Sequence, residues 1–417
     1  MSLIPSNQTI YGNLAVAGSI TSFTNQVPTD PFGDIRVVQK ASILDLKSTF
    51  GISALRDIVE TTGSGAVANT VVGLGGTGEY HMSVSAANDT ALLQSTERGS
   101  YVAGFGAEVG LGIRIPASPT GTTVARWGYF DSLNGMFFQV SSAGMAVGMR
   151  RGGGADTVVP RASWNVDKLD GTGPSGHTLD LARGNVFQIV FSWYGFGALV
   201  FRVVVTDSTG NQCVQVVHRS VVPNSTSMTT PNLPVSVAVT QGATAAAFSV
   251  FVAGRQYSLI GNFPRLTYRV STAYVIAGGG VTKTAFSPIL SVRRKNGYLG
   301  NAIRIHNIDI FTASECYFEV RVNATRGGVA SSWVNLPSTV AAETALEQDT
   351  SATTVTGGIV LYAGFLPGSL TDPARTAPDD VTFIIDEFSV ITLCVRGGPG
   401  GANSAVCTAH MRFKESW

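Results

Sequence analysis

Charge is scarce in this chain. Only 13% of its 417 residues are Asp, Glu, Lys or Arg, about half the usual share. Lys and Arg together number 28 against 27 Asp and Glu, a formal net charge of +1. No general field exists to gather nucleic acid or an acidic membrane surface. Low charge does not mean disorder here, because 44% of residues are hydrophobic and the mean hydropathy is +0.22. Cysteine is also sparse, with Cys213, Cys316, Cys394 and Cys407 and no CxxC spacing. That excludes the usual structural zinc signature. Cys394 and Cys407 flank a glycine-rich loop. A hairpin there would let them bridge, but free buried thiols are the default for a chain made in a reducing compartment. Long apolar runs are rare too. The one candidate, Phe187 to Val205, is broken by Gln188, Ser192, Arg202 and the turn-like Tyr194-Gly195-Phe196-Gly197. It reads as two strands of a buried hairpin and not as a membrane span.

What the chain has in abundance is glycine, 48 residues, among short alternating runs. The opening stretch from Ser6 to Ser22 alternates apolar with small polar residues, with Gly12 and Gly18 as bends. Such a segment is too short to bury a core alone. Its apolar positions Ile10, Leu14, Val16 and Ile20 are therefore expected to pair with a neighbouring subunit. Threefold intertwining satisfies such arms most simply, so the expectation is a homotrimer. Met1 to Ser6 carries neither a basic nor an apolar leader segment, which points to synthesis in a cytoplasm.

The expected architecture is all-β: an extended arm over residues 1–45, a short helix and glycine-rich linker over 46–78, a β-sandwich over 79–262, and a second β domain over 263–417. Both domains are expected to be sandwiches of jelly-roll or concanavalin-like type. The helix rests on Leu44, Leu46, Phe50, Leu55 and Ile58, a partial 3.6-residue pattern within Ser42 to Glu60 that Gly51 interrupts. The strands rest on short apolar runs punctuated by turn signals, with Asn134-Gly135 the strongest hairpin cue.

The stretches Arg126-Trp127-Gly128-Tyr129-Phe130, Asn134-Gly135-Met136-Phe137-Phe138, Arg150-Arg151-Gly152-Gly153 and Trp164 to Gly176 resemble virion structural proteins of tailed phages and other large DNA viruses. The later runs Ser291 to Lys295 and Ala341 to Glu347 do so as well. Gly12 to Thr21 is similar to the arms of phage fibre and appendage proteins. The resemblance implies an assembly role on a virus particle, as capsid decoration, fibre or tail component, with other virion proteins as partners. It carries over no catalytic residue and does not say which position in the particle the chain occupies.

A search for chemistry gives little to support an enzyme. No histidine sits in a nucleophile elbow, and Gly73 to Gly78 lacks the Lys of a phosphate loop. Asp379, Asp380, Asp386 and Glu387 offer carboxylates with no fixed separation. Asp167, Asp170 and Asp180 are too few for a calcium loop, so neither metal nor cofactor is expected. Candidate ligand contacts are Trp127, Trp164, Asp167, Asp170 and His177, which would suit recognition of a host surface glycan. The aromatic members could equally fill a core. The basic clusters Arg150-Arg151 and Arg293-Arg294 are expected to meet carboxylates across subunit contacts, where the guanidinium fork gives bidentate geometry.

Overall fold

The computed structural model describes residues 40–69, 78–206, 210, 212–220, 225–261, 268–272, 275–276, 281–296, 298, 302–336, 344–368, 374–376, 389–400 and 406–416. The arm residues Ile10, Leu14, Val16 and Ile20 lie outside them. The described residues are all-β, as the alternating runs predicted, and form two sets of packed antiparallel sheets.

The first set contains β1 (Lys40–Leu46), β2 (Asp57–Thr62), β3 (Ala66–Asn69), β4 (Tyr80–Val84), β5 (Thr90–Ser95), β6 (Gly106–Arg114), β7 (Val124–Phe130), β8 (Gly135–Ser141), β9 (Gly144–Arg150), β10 (Thr157–Pro160), β11 (Asn185–Phe191), β12 (Leu199–Thr206), β13 (Gln212–Ser220), β14 (Val235–Thr240) and β15 (Phe248–Ile260). One sheet runs β13-β12-β11-β6-β15-β4-β3, with β1 pairing the far half of β15. The other runs β10-β9-β8-β7-β14-β5-β2. Side chains alternate between faces, so Val109, Leu111, Phe187 and Ile189 from the first sheet meet Trp127, Tyr129, Phe138 and Val237 from the second in one core. The Phe187–Val205 run is the β11–β12 hairpin, pairing Phe191 with Leu199. A hairpin stands where Asn134-Gly135 signalled one, but Phe130 pairs with Gly135, so the loop is the four residues 131–134 and Gly135 opens β8 instead of forming a two-residue turn.

Residues 42–60 are not an α-helix. Leu44 and Leu46 point inward two residues apart, the strand period, and a single 3-10 turn at Ser48–Phe50 ends at Gly51, whose φ is +79°. The helical spacing of Ile58 loses to backbone pairing, since Asp57 to Thr62 lines up with Ser95 to Thr90, and Leu55 lies in the turn before it, where the Arg56 and Asp57 amides donate to the Ser53 carbonyl. The segment expected as a linker therefore supplies edge strands. β2 closes the seven-stranded sheet and β3 closes the eight-stranded one. Residues 40–45, expected in the arm, belong to β1.

The second set contains β16 (Tyr268–Ser271), β17 (Val275–Ile276), β18 (Ser287–Arg294), β19 (Ala302–Thr312), β20 (Cys316–Val322), β21 (Thr325–Gly327), β22 (Val334–Asn335), β23 (Leu346–Asp349), β24 (Thr354–Thr356), β25 (Ile359–Leu366), β26 (Ala374–Thr376), β27 (Val390–Gly397) and β28 (Cys407–Ser416). A five-stranded sheet, β16-β28-β19-β26 with β17 also on β28, faces a six-stranded sheet, β22-β23-β18-β27-β20-β25. Ile305, Ile308, Met411 and Phe413 pack against Phe318, Val320, Leu393 and Val395 in a separate core. A two-stranded ribbon, β21-β24, adds Ala324 and Val355 to a small cluster with Cys394.

Cys394 and Cys407 do not face each other across a hairpin. β27 joins the six-stranded sheet and β28 the five-stranded one. Cys407 sits in the main core, Cys394 in the small cluster beneath the ribbon, and all four cysteines are free thiols.

Candidate functional site

Strand β20, Cys-Tyr-Phe-Glu-Val-Arg-Val, divides its side chains cleanly. Cys316, Phe318 and Val320 enter the core. Tyr317, Glu319 and Arg321 therefore project from the opposite face of the sheet. Register carries that outer row across three strands, because Tyr317 is opposite Arg396 on β27 and opposite Phe365 on β25. Strand spacing makes the row Arg396–Tyr317–Phe365 about 10 Å long. Gly364 lets β25 approach closely, since a Cβ there would come within 2.8 Å of the Phe318 ring.

Phe286, just before β18, completes the platform. Its ring centroid lies 6.0 Å from that of Tyr317, and the Tyr317 and Phe365 rings lie 4.9 Å apart at a tilt. Two guanidiniums stack on these rings. Arg321 is 4.4 Å from the Phe286 centroid, and Arg396 is 5.0 Å from Phe286 and 5.2 Å from Tyr317. Their surroundings differ. Arg321 is largely buried, donates from Nε to Glu319 Oε2 at 2.7 Å and from Nη1 to the Gly357 carbonyl at 3.1 Å. Arg396 is exposed, and its contacts among the described residues are the two rings. Phe365 is 72% exposed. The result is a cluster of three mutually tilted rings, Phe365 exposed and the other two partly so, with one neutralised and one un-neutralised cation.

The sequence-predicted residues lie elsewhere. Trp127 is fully buried on the inward face of β7, its ring 5.0 Å from Phe187 of the facing sheet. Burying an indole of this size is worth about 4–6 kcal/mol before entropy. An exposed stacking position would forgo that, so the ligand-facing expectation gives way to the core. Trp164 is also buried and donates its Nε1 to the Val159 carbonyl at 3.3 Å. Asp167 is buried and holds its own loop, accepting from the amides of Leu169 and Ser175 at 2.8 Å each. Burial acts to raise its pKa, but the Leu169 amide and the Ser175 amide and hydroxyl outweigh burial and leave it below the usual carboxylate range. Asp170 accepts from the Thr172 hydroxyl at 2.6 Å and its amide at 2.9 Å, which lowers its pKa in turn. His177 is half-buried in this loop, its carbonyl accepting from Gly171 N at 3.0 Å. Asp167, Asp170 and His177 thus share one loop, while Trp127 sits in the core apart from any surface.

The basic residues expected at subunit contacts are engaged within the chain. Arg150 makes a bidentate pair with Asp156 at 2.8 and 3.0 Å. Arg293 pairs with Glu347 at 2.5 Å and stacks 4.1 Å from the Trp333 ring. Arg294 is buried. Arg151 alone of the four is exposed, with a 3.5 Å contact to Thr226. No cluster of His, Cys, Asp and Glu able to hold a metal occurs among the described residues. The carboxylates Asp379, Asp380, Asp386 and Glu387 lie outside them.

Sequence reasoning missed Phe286, Tyr317, Phe365, Arg321 and Arg396. The alternation in Cys316 to Val322 was a usable signal, with Tyr, Glu and Arg on one face and apolar residues on the other. Phe286 and Arg396 join only through sheet pairing and gave no local sign.

Neither a family model nor a curated protein sequence matches the chain. Similar solved structures include the carbohydrate recognition domain of Emp47p, 14% identical over 53% of this chain and 95% of that one, TM-score 0.31. A protein of unknown function from Shewanella oneidensis is 11% identical over 61% of this chain and all of that one, TM-score 0.34. A legume lectin-like domain from Entamoeba histolytica is 11% identical over 48% of this chain and 88% of that one, TM-score 0.28. At these scores no residue of theirs maps onto a residue here.

Proposed function

We propose that the chain is a carbohydrate-binding protein whose binding surface is the outer face of the six-stranded sheet. One observation carries this reading: the rings of Phe286, Tyr317 and Phe365 adjoin on the outer face of the sheet, with Phe365 72% exposed and the other two partly exposed. Single exposed rings are ordinary, but an exposed ring continued by two partly exposed ones makes a larger apolar patch of the kind that marks binding surfaces. A sugar presents a flat C–H face that packs on aromatic rings, and hydroxyls that pair with a phenol or a guanidinium. The rigid setting of Arg321 against Glu319 and Gly357 keeps the platform in place before any ligand arrives. The proposed activity is binding and not catalysis. An oligosaccharide array probed with the wild-type protein and with a Tyr317→Ala/Phe365→Ala variant tests it. Binding is expected for the wild type and is expected to disappear in the variant, which should still melt cooperatively.

A second reading, a structural subunit of a virus particle, has its own observation. Strand β25 pairs only with β20 among the described residues and exposes Ile359, Val360 and Phe365. An apolar edge strand is a template for pairing with another chain. In this reading the chain is a homotrimer, as capsid decoration, fibre or tail component, and any glycan it holds belongs to a host surface. Light scattering on the full chain, beside a chain lacking residues 1–27, distinguishes the cases. An oligomer that falls to monomer on truncation supports assembly through the arm, and a full-length monomer contradicts it.

A further inference from the structure

We infer that the saccharide held on this platform is acidic, with a carboxylate placed over Arg396. The inference rests on the carbohydrate-binding reading and narrows it. The two arginines of the platform are not equivalent. Glu319 neutralises Arg321 at 2.7 Å, and the Gly357 carbonyl takes a further donor. Arg396 has no carboxylate partner among the described residues, yet it lies in the same cross-strand row as Tyr317 and Phe365. Its guanidinium rests on the faces of Phe286 and Tyr317. Face-stacking leaves the in-plane N–H donors of a guanidinium directed outward along its edge, where they suit the two oxygens of a carboxylate.

The row therefore has polarity. Phe365 offers an exposed stacking surface, Tyr317 follows it with Arg396 resting on its ring, and that cation, with open donors, stands at the end. A saccharide lying along the row sets a C–H face on Phe365 and brings an acidic substituent to Arg396. Charge-assisted bidentate hydrogen bonds are the stronger kind, and partial shielding by the rings raises their worth above that of a free surface pair. A neutral sugar would gain stacking and ordinary hydroxyl hydrogen bonds without the charge-assisted pair. A protein partner could use the same aromatic and Arg-rich chemistry, and the test includes that outcome.

Titration calorimetry on the full chain with two matched pairs tests the inference: oligogalacturonate against its carboxyl-reduced form, and sialyllactose against lactose. At least one acidic member should bind about tenfold more tightly than its neutral partner. Raising the salt concentration should narrow the gap. Arg396→Gln should abolish the preference, bringing the acidic and neutral members of each pair to within about twofold of each other. Arg396→Lys, which keeps charge but loses the fork, should fall between. Arg396 is exposed, so both variants should keep the wild-type melting temperature. Equal affinity within both pairs, or an acid preference that survives Arg396→Gln, would overturn the inference and leave the carbohydrate-binding reading standing. Failure to bind any of the four sugars would overturn both. Concentration-dependent self-association that Arg396→Gln abolishes would assign the face to a protein contact and overturn it as well.

Discussion

Arg255 and Asp57 form an ion pair across the first sandwich, between β15 of one sheet and β2 of the other, with both side chains 1% exposed. Tyr80 sits beside them, donating its hydroxyl to the Gly51 carbonyl at 2.6 Å. The Arg255 Nε and Nη1 have no hydrogen-bond partner among the described residues. The pair is thus buried but incompletely satisfied, and a buried charge left alone costs more than the pair itself contributes. Asp57→Ala should lower the unfolding free energy by about 3–5 kcal/mol. Asp57→Leu combined with Arg255→Met should recover most of that loss. Urea unfolding of the three proteins checks it, and a double variant no better than Asp57→Ala would show that the pair is worth its desolvation.

His218 gives the first sandwich a pH dependence. Burial lowers its pKa below the ordinary 6.5. Its Nδ1 accepts from the Asn165 amide at 3.3 Å, which requires the neutral ring at that nitrogen. Below about pH 6.5 the unfolded chain takes up the proton while the fold resists it. The stability tied to the neutral ring is therefore full above that pH and is lost as the pH falls through the folded value. Denaturation midpoints between pH 7.5 and pH 5 should fall, and less steeply in His218→Gln. His410, also lowered by burial with Asp309 opposing, adds to the same trend and leaves a residual slope.

Thiol chemistry separates the cysteines. Burial pushes Cys394 and Cys407 up to about 12, and raises Cys316 in the same direction. The thiolate is the reactive form, so these three should resist labelling at neutral pH. Cys213 is half-buried on β13. A thiol reagent should modify Cys213 first in the native protein and all four cysteines in urea. Rapid native labelling of Cys394 would contradict the packing beneath the ribbon.

Asp167 is a loop anchor. Asp167→Ala removes the acceptor for Leu169 and Ser175 amides and should cost about 1–3 kcal/mol. Sugar binding by the intact second sandwich should be unchanged in this variant. Protease cleavage between residues 167 and 178 should accelerate. An unaltered melting temperature with lost sugar binding would return Asp167 to the list of ligand contacts.

The all-β character was legible because alternation is local. Phe187 to Val205 announced its own hairpin, and Asn134-Gly135 marked the end of another, though not its loop length. The helix misreading shows the limit of that signal. Leu44, Leu46, Leu55 and Ile58 fit a loose helical spacing, and only the partners Tyr257, Arg255 and Leu93 to Ser95 show that the backbone bonds go sideways. The tryptophans mark a second limit. Alternation in Val124 to Phe130 is blurred by burial on both faces, so the inward direction of Trp127 could not be read. The platform is non-local by construction. Arg396, Tyr317 and Phe365 are separated widely in sequence and meet only through the register of three strands. Nothing in the sequence around Arg396 pairs it with Tyr317; the register of β27 on β20 does.

The most direct test of the account is calorimetric titration of a saccharide selected on an array, comparing the wild-type chain with Tyr317→Ala/Phe365→Ala. The account predicts a measurable affinity in the wild type and at least a tenfold loss in the variant, with the two proteins melting within a few degrees of each other. Equal affinity in both proteins would place the sugar elsewhere and contradict the claim that this aromatic face is the binding surface.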